Sequence, residues 1–225
     1  MLSDLKRALG QLGDPPVRRC LLISFLTALV TMALLVAGIQ LAIGLAGSTG
    51  WPWLDWLIRL LGVGGALFGA WLLFPAVISL SLGLLLERVV DAVEARWYPG
   101  LPPPHEASVV QGLLAGARLA LVALLLNILA LPLYLVPGLN LVLFLALNGY
   151  LLGREYVELV AQRRMGPAGA AAFRRANRAR VWLTGAVIAG LLTVPLVNLV
   201  APVIGIALAT HRFHRLRGAT VAIEG

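Results

Sequence analysis

Four long stretches of the chain, residues 20–54, 60–86, 119–153 and 181–210, contain no Asp, Glu, Lys, Arg or His. A helix needs about 20 apolar residues to cross the hydrocarbon core of a bilayer. A core built from 225 residues cannot hide four such runs from water, so part of their surface must face lipid. Composition agrees: 60% of residues are hydrophobic and 12% charged, where a soluble domain carries roughly 25% charged residues. These runs exclude a soluble enzyme and a disordered tail. They also disfavour a membrane β-barrel, whose strands alternate apolar and polar residues. The single cysteine, Cys20, allows no internal disulfide and reads as a small buried hydrophobe.

The first two stretches read as full spans. The run from about Leu21 to Leu45 is longer than the 7–15 apolar residues of a signal-peptide core. A turn follows at Gly47-Ser48-Thr49-Gly50-Trp51-Pro52, where Trp51, Trp53 and Trp56 form an interfacial aromatic belt. The second span is expected to leave the membrane as a helix through Glu87, Arg88, Asp91 and Glu94 to Trp97, and to stop at Tyr98-Pro99-Gly100.

The last two stretches are broken in the middle. Val136-Pro137-Gly138-Leu139-Asn140 interrupts one; Pro195-Leu196-Val197-Asn198 and Pro202 interrupt the other. Arms of about 12 to 18 residues are short for full spans and suit re-entrant helical hairpins, although two short spans per stretch would leave the charged loops on the same side. With the N-terminus in the cytoplasm, 17 of the 18 basic residues are then cytoplasmic, all but Arg59. That matches the positive-inside rule. The two stretches also read as a diverged repeat. Pro195 follows Pro137 by 58 residues, Asn198 follows Asn140 by the same offset, and an Arg (154 or 212) stands 14 residues after each Asn.

The expected fold is therefore an all-α integral membrane protein with two long transmembrane helices and two re-entrant hairpins. It forms one membrane domain over 1–225. A cytoplasmic segment covers 1–19, the first span 20–47, and the second span with its extension 57–97. The first hairpin takes 108–156, a basic loop or helix 168–180, and the second hairpin 181–215.

Enzyme signatures are missing. The only lysine is Lys6, so there is no phosphate-binding G-x-x-x-x-G-K-[ST] loop, and neither a G-x-S-x-G elbow nor a His-Glu-x-x-His helix is present. His211-x-x-His214 has no clear third ligand and sits among arginines, so it reads as a solvated helix end rather than a metal site. No cofactor or metal is expected. The uncharged stretches contain no carboxylate or histidine to serve as a buried proton relay, which favours passive, gradient-driven movement.

What the residues do suit is an anion. Asn140 and Asn198 are expected to cap the half-helices that follow them, leaving further free N–H groups at the positive end of the helix dipole. With Pro137, Gly138 and Pro195 they mark the pathway. Arginine supplies a planar fork that matches an oxyanion. By composition, the Arg18–Arg19 pair ahead of the first span reads as a topology anchor. Arg163, Arg164, Arg174, Arg175, Arg178 and Arg180 make a basic segment whose helical part, 168–180, suits anionic headgroups or the delivery of anions, with topology and lipid contact the favoured reading. Net charge of +8 sits at the ends of apolar runs, which points to a membrane surface or anionic solute rather than nucleic acid. Gly149-x-x-x-Gly153 and Gly65-x-x-x-Gly69 allow close helix contact.

These motifs resemble the CysZ family of bacterial sulfate permeases, within the wider EI24 superfamily. Pro137-Gly138-Leu139-Asn140 followed by Asn148-Gly149-Tyr150-Leu151-Leu152-Gly153-Arg154-Glu155-Tyr156 is similar to its central signature. Pro195-Leu196-Val197-Asn198 followed by Ala207-Leu208-Ala209-Thr210 is similar to its C-terminal one, and Pro16-Val17-Arg18-Arg19 to a basic motif before its first span. The resemblance implies two long spans with two pairs of hemi-penetrating helices and a homo-oligomer in the bacterial inner membrane. It also implies sulfate uptake for assimilation into cysteine, with Arg18 and Arg19 binding sulfate. Two other readings remain: a carrier of another oxyanion or an organic anion, and a non-transporting scaffold that binds membrane lipids.

Overall fold

The computed structural model describes residues 1–45, 47, 49–105, 109–136 and 139–218. Among them the chain is helical and contains no strand. The helices are α1 (Leu2–Gly10), α2 (Pro15–Leu45), α3 (Pro52–Trp97), α4 (Val109–Ala130), α5 (Asn140–Ala176), α6 (Arg178–Leu192), α7 (Pro195–Asn198) and α8 (Ala201–Leu216). Short 3₁₀ turns cover Gln11–Gly13 and Leu131–Leu135. Three stretches are long and apolar enough to cross a membrane: Pro15–Leu45, Pro52–Phe74 and Ala117–Tyr134. The third is the first arm of the 119–153 stretch, one more than the two long spans expected. Together they fit an all-α integral membrane protein.

The chain divides into two compact units, Arg18–Leu85 and Met1–Val17 with Leu86–Gly225. In the first unit, most of α2 and the N-terminal part of α3 form an antiparallel pair. Phe25 meets Phe74 edge to face at 5.8 Å, and Gly62 faces the Ile43 side chain. Asp55 closes the turn between them by accepting hydrogen bonds from the Thr49 backbone N–H (2.8 Å) and hydroxyl (2.7 Å). Outward-facing Leu22, Leu26, Val30, Leu61, Phe68 and Trp71 are all exposed, as an apolar pair in lipid requires. Trp51, Trp53 and Trp56 are exposed too, as an interfacial belt needs.

The second unit is built around α8. Every residue from Ala201 to His214 is buried, the mark of a helix enclosed on all sides. Helices α1, α5 and α6 pack against it. The α3 extension reaches Trp97 as expected, and burial of Leu86, Val89, Val90, Val93 and Glu94 follows one face of the helix. Tightest of all is the α5–α6 contact. A side chain on Gly185 would collide with the backbone of Gly149 and Gly153, so only glycine lets these helices touch.

Two breaks shape this unit. At Gly166 the backbone adopts φ 69° and ψ 175°, a region open essentially to glycine alone, and Pro167 starts the next helical turn. Val194 is extended after α6, and α7 begins at Pro195. The flanking helices α6 and α8 have 15 and 16 residues. At 1.5 Å per residue each is about 23 Å long, short of a bilayer core of about 30 Å.

Candidate functional site: arginines and a buried polar core

Arg18 and Arg19 lie in the first turn and a half of α2, after the Pro15–Pro16 start. Both are exposed, and neither makes a hydrogen bond or ion pair among the described residues. Two free guanidiniums therefore stand at the head of an uncharged helix.

The breaks differ from expectation. Pro137 and Gly138 lie outside the described residues. Asn140 is exposed and is already the first residue of α5; Leu139, itself in helical conformation, holds the cap position. Asn198 ends α7, two residues before the α8 cap at Val200. Neither Asn side chain makes a hydrogen bond among the described residues, so the expected Asn caps are absent. The physical reason is position: a capping side chain acts from the non-helical residue just before the helix. At α8 the backbone does the work. Pro202 has no N–H, and Val203 and Ile204 donate to the Val200 carbonyl at 3.0 and 3.1 Å. Fewer free amides remain at this break than the reading required.

His211 and His214 also depart from expectation. They are 0% and 2% exposed rather than solvated, because α8 is the core helix. His214 Nε2 lies 2.8 Å from Glu94 Oε1. Arg164 grips the same carboxylate with two nitrogens, its Nε donating at 2.8 Å. Tyr98 Oη and His211 Nδ1 are 2.9 Å apart. Asp4 meets Arg212 at 3.4 Å and Arg215 at 2.6 Å. Burial pushes the Glu94 carboxyl up, yet the hydrogen bonds from His214 and Arg164 and the charge of Arg164 outweigh it and hold the group below its usual value. Burial pushes Tyr98 up to about 12. Among the described residues no cluster of three or more potential ligands could hold a metal.

The basic segment is likewise not a uniform lipid-facing surface. Arg163 pairs with Asp91, and Arg164 is buried on Glu94. Around Arg154 a different arrangement appears. Its side chain is 10% exposed, and its Nε donates to Glu158 Oε2 at 3.2 Å. Gly166 turns the chain back, which brings Arg174 Nε within 3.3 Å of that same oxygen. Close α5–α6 packing adds Arg178, the first residue of α6. Tyr150, Arg154, Arg174, Arg178 and Trp182 line a cavity of about 510 Å³. The sequence reading placed Arg174 and Arg178 in a basic segment but did not join them to Arg154. The site's one visible signal was that the repeat pairs Arg154 with Arg212, and both prove to be buried and bound to a carboxylate.

Residues 4–202 match the EI24 family, described as sulfate transporter CysZ/etoposide-induced protein 2.4. The chain belongs to the EI24 family. No curated protein matches the sequence. CysZ is a transporter family rather than an enzyme family, and membership joins the three apolar helices in marking an integral membrane protein.

Proposed function

We propose that the protein is a sulfate permease that admits sulfate to the cytoplasm across the bacterial inner membrane, for assimilation into cysteine. The observation that carries the reading is the exposed, unpaired Arg18–Arg19 pair at the head of an apolar helix, in a chain of the EI24 family. Free guanidiniums offer fork-shaped donors that replace part of a sulfate ion's water. Arg18 and Arg19 capture the anion. Pro137, Gly138, Asn140, Pro195 and Asn198, which interrupt the last two apolar stretches of the sequence, line the inner path. Helices α6 and α8, each shorter than the bilayer is thick, support a re-entrant hairpin. Movement follows the gradient, since the chain carries no phosphate-binding loop for ATP. Copies of the chain assemble as a homo-oligomer among membrane lipids.

Uptake of labelled sulfate into proteoliposomes tests this, beside empty liposomes and the Arg18→Ala/Arg19→Ala double variant. The expected result is protein-dependent uptake that the double variant loses. Uptake that survives the substitutions keeps the permease and removes the Arg pair as its mouth. No uptake above empty liposomes, from protein shown to be folded, overturns the reading in favour of a lipid-binding scaffold. Competition by unlabelled sulfite, thiosulfate or an organic anion identifies the solute.

A further inference from the structure

The cavity between α5 and α6 collects more positive charge than the fold can use. Arg154, Arg174 and Arg178 line it, and among the described residues Glu158 is the one carboxylate paired with them, an excess of two positive charges. Guanidiniums so close together repel, and a partly buried position weakens the screening of that repulsion. Arg178 adds a second penalty. It is the first residue of α6, where the positive end of the helix dipole disfavours a cation.

Donor capacity is in excess too. Arg154 is nine-tenths buried, yet its only hydrogen bond runs from Nε, and its two terminal nitrogens have none among the described residues. Arg174 Nε is buried and, though 3.3 Å from Glu158, makes no hydrogen bond. The first amides of α6, at Arg178 and Ala179, have no acceptor within the helix, and Ala179 also lines the cavity. Trp182 Nε1 is not spare: it donates to the Ala146 carbonyl at 3.1 Å and fixes the rim.

We propose that this cavity is an oxyanion site for a divalent tetrahedral anion, held by Arg154, Arg174 and Arg178 with the α6 N-terminus behind them. Such an ion reverses both penalties at once and satisfies the spare donors. The site uses neither Arg18 nor Arg19, which belong to the other compact unit. Glu158 bridges Arg154 and Arg174 through its Oε2 and so competes with an anion for their charge. The occupancy of this site does not rest on the permease reading. The same donors fit free sulfate and the tetrahedral phosphate of a lipid headgroup, which as a diester carries one negative charge rather than two.

Equilibrium binding of labelled sulfate to the full chain, in a detergent free of phospholipid, tests the proposal. Arg178→Gln is expected to weaken binding tenfold or more, and Arg178→Lys to recover part of it. Because Arg178 is exposed, neither change disturbs packing. Glu158→Gln is expected to tighten binding severalfold, an outcome that mere loss of structure does not produce. Repeating the titration with added phosphatidylglycerol separates the sources. A free anion remains bound in its presence, whereas a headgroup site loses sulfate to the lipid in an Arg178-dependent way. Sulfate binding indifferent to both Arg178→Gln and Glu158→Gln, together with lipid binding indifferent to Arg178, overturns the site. If wild-type proteoliposomes take up no sulfate but Arg178-dependent binding persists, the permease reading fails and this one stands. Uptake without Arg178-dependent binding has the reverse meaning.

Discussion

The two compact units solve different problems with the same helical material. In Arg18–Leu85 the exposed surface is mostly apolar, the internal contacts are ring-on-ring and glycine-on-isoleucine, and Arg18 and Arg19 stand free. The larger unit does the opposite. It buries Asp4, Glu94, Arg154, Arg212 and both α8 histidines, and pairs nearly all of them. Lipid explains the contrast. A helix pair facing hydrocarbon cannot carry unpaired charge, so its charges move to its ends. A unit with its own enclosed helix can hold polar groups inside, provided each has a partner. Charge that is free in the first unit is available to a solute, and charge that is paired in the second is mostly committed to the fold. The Arg154–Arg178 cavity is the place where the second unit breaks its own rule.

The largest effect is expected where pairing is most complete. Glu94 is 4% exposed and binds both Arg164 and His214. Removing one partner of a buried pair costs about 3–5 kcal/mol, because the remaining charge is left uncompensated. Glu94→Ala should therefore lower the thermal unfolding midpoint in detergent sharply, whereas substitutions at Arg18 should not. The pH dependence follows from the same group. Its folded pKa lies below the ordinary 4.5. Its stabilisation is thus complete above the unfolded value and is lost as pH falls through the folded one. The difference in midpoint between wild type and Glu94→Gln should shrink below about pH 4.5; a difference constant with pH would assign the stability to packing instead.

Glycines give the next test. Gly185 sits against the α5 backbone, so Gly185→Val is expected to cost at least the 1–3 kcal/mol or so of ordinary overpacking. Gly69, on the other unit, has nothing within 4 Å of where a Cβ would lie. Gly69→Ala should therefore be neutral or stabilising by up to about 1 kcal/mol through helix propensity. The same open face offers a check on assembly. A fall in the mass of the detergent-solubilised particle on Gly65→Leu/Gly69→Leu assigns that face to a neighbouring copy, and an unchanged mass removes it from the interface.

What the sequence revealed follows the same divide. The first two apolar helices, the end of the α3 extension at Trp97 and the Tyr98-Pro99 stop were legible, because a bilayer demands uncharged length and Pro and Gly punctuate locally; the third span-length helix, Ala117–Tyr134, was read as one arm of a hairpin. The Gly149-x-x-x-Gly153 contact was legible as a close approach, but not its partner, Gly185. The buried state of His214 was not, since it depends on Glu94, 120 positions away. Nor was the arginine cavity. Arg154, Arg174 and Arg178 are spread over two helices, and only the Gly166 reversal and the Gly185 contact gather them. The Asn caps were misread for a local reason: the residue type suits a cap, but Leu139 and Val200 hold the cap positions.

The smallest stability effect is expected at the Arg18–Arg19 pair, and its smallness is what gives it meaning. Exposed side chains with no hydrogen bond or ion pair contribute little to folding, so Arg18→Ala/Arg19→Ala should stay within about 0.5 kcal/mol of wild type. Positive charge at the N-terminal end of α2 is, if anything, opposed by the helix dipole. A residue pair that the fold does not need, and that its own helix mildly disfavours, is explained by what it meets outside the chain. Thermal unfolding in detergent checks the first half. Salt dependence checks the second, because capture by exposed guanidiniums is screened over about 8 Å at physiological ionic strength and should weaken as inert salt rises. A double variant that unfolds several degrees early would assign the pair to the fold. Unchanged stability with salt-sensitive sulfate capture lost would complete the contrast between charge kept for the fold and charge kept for the solute.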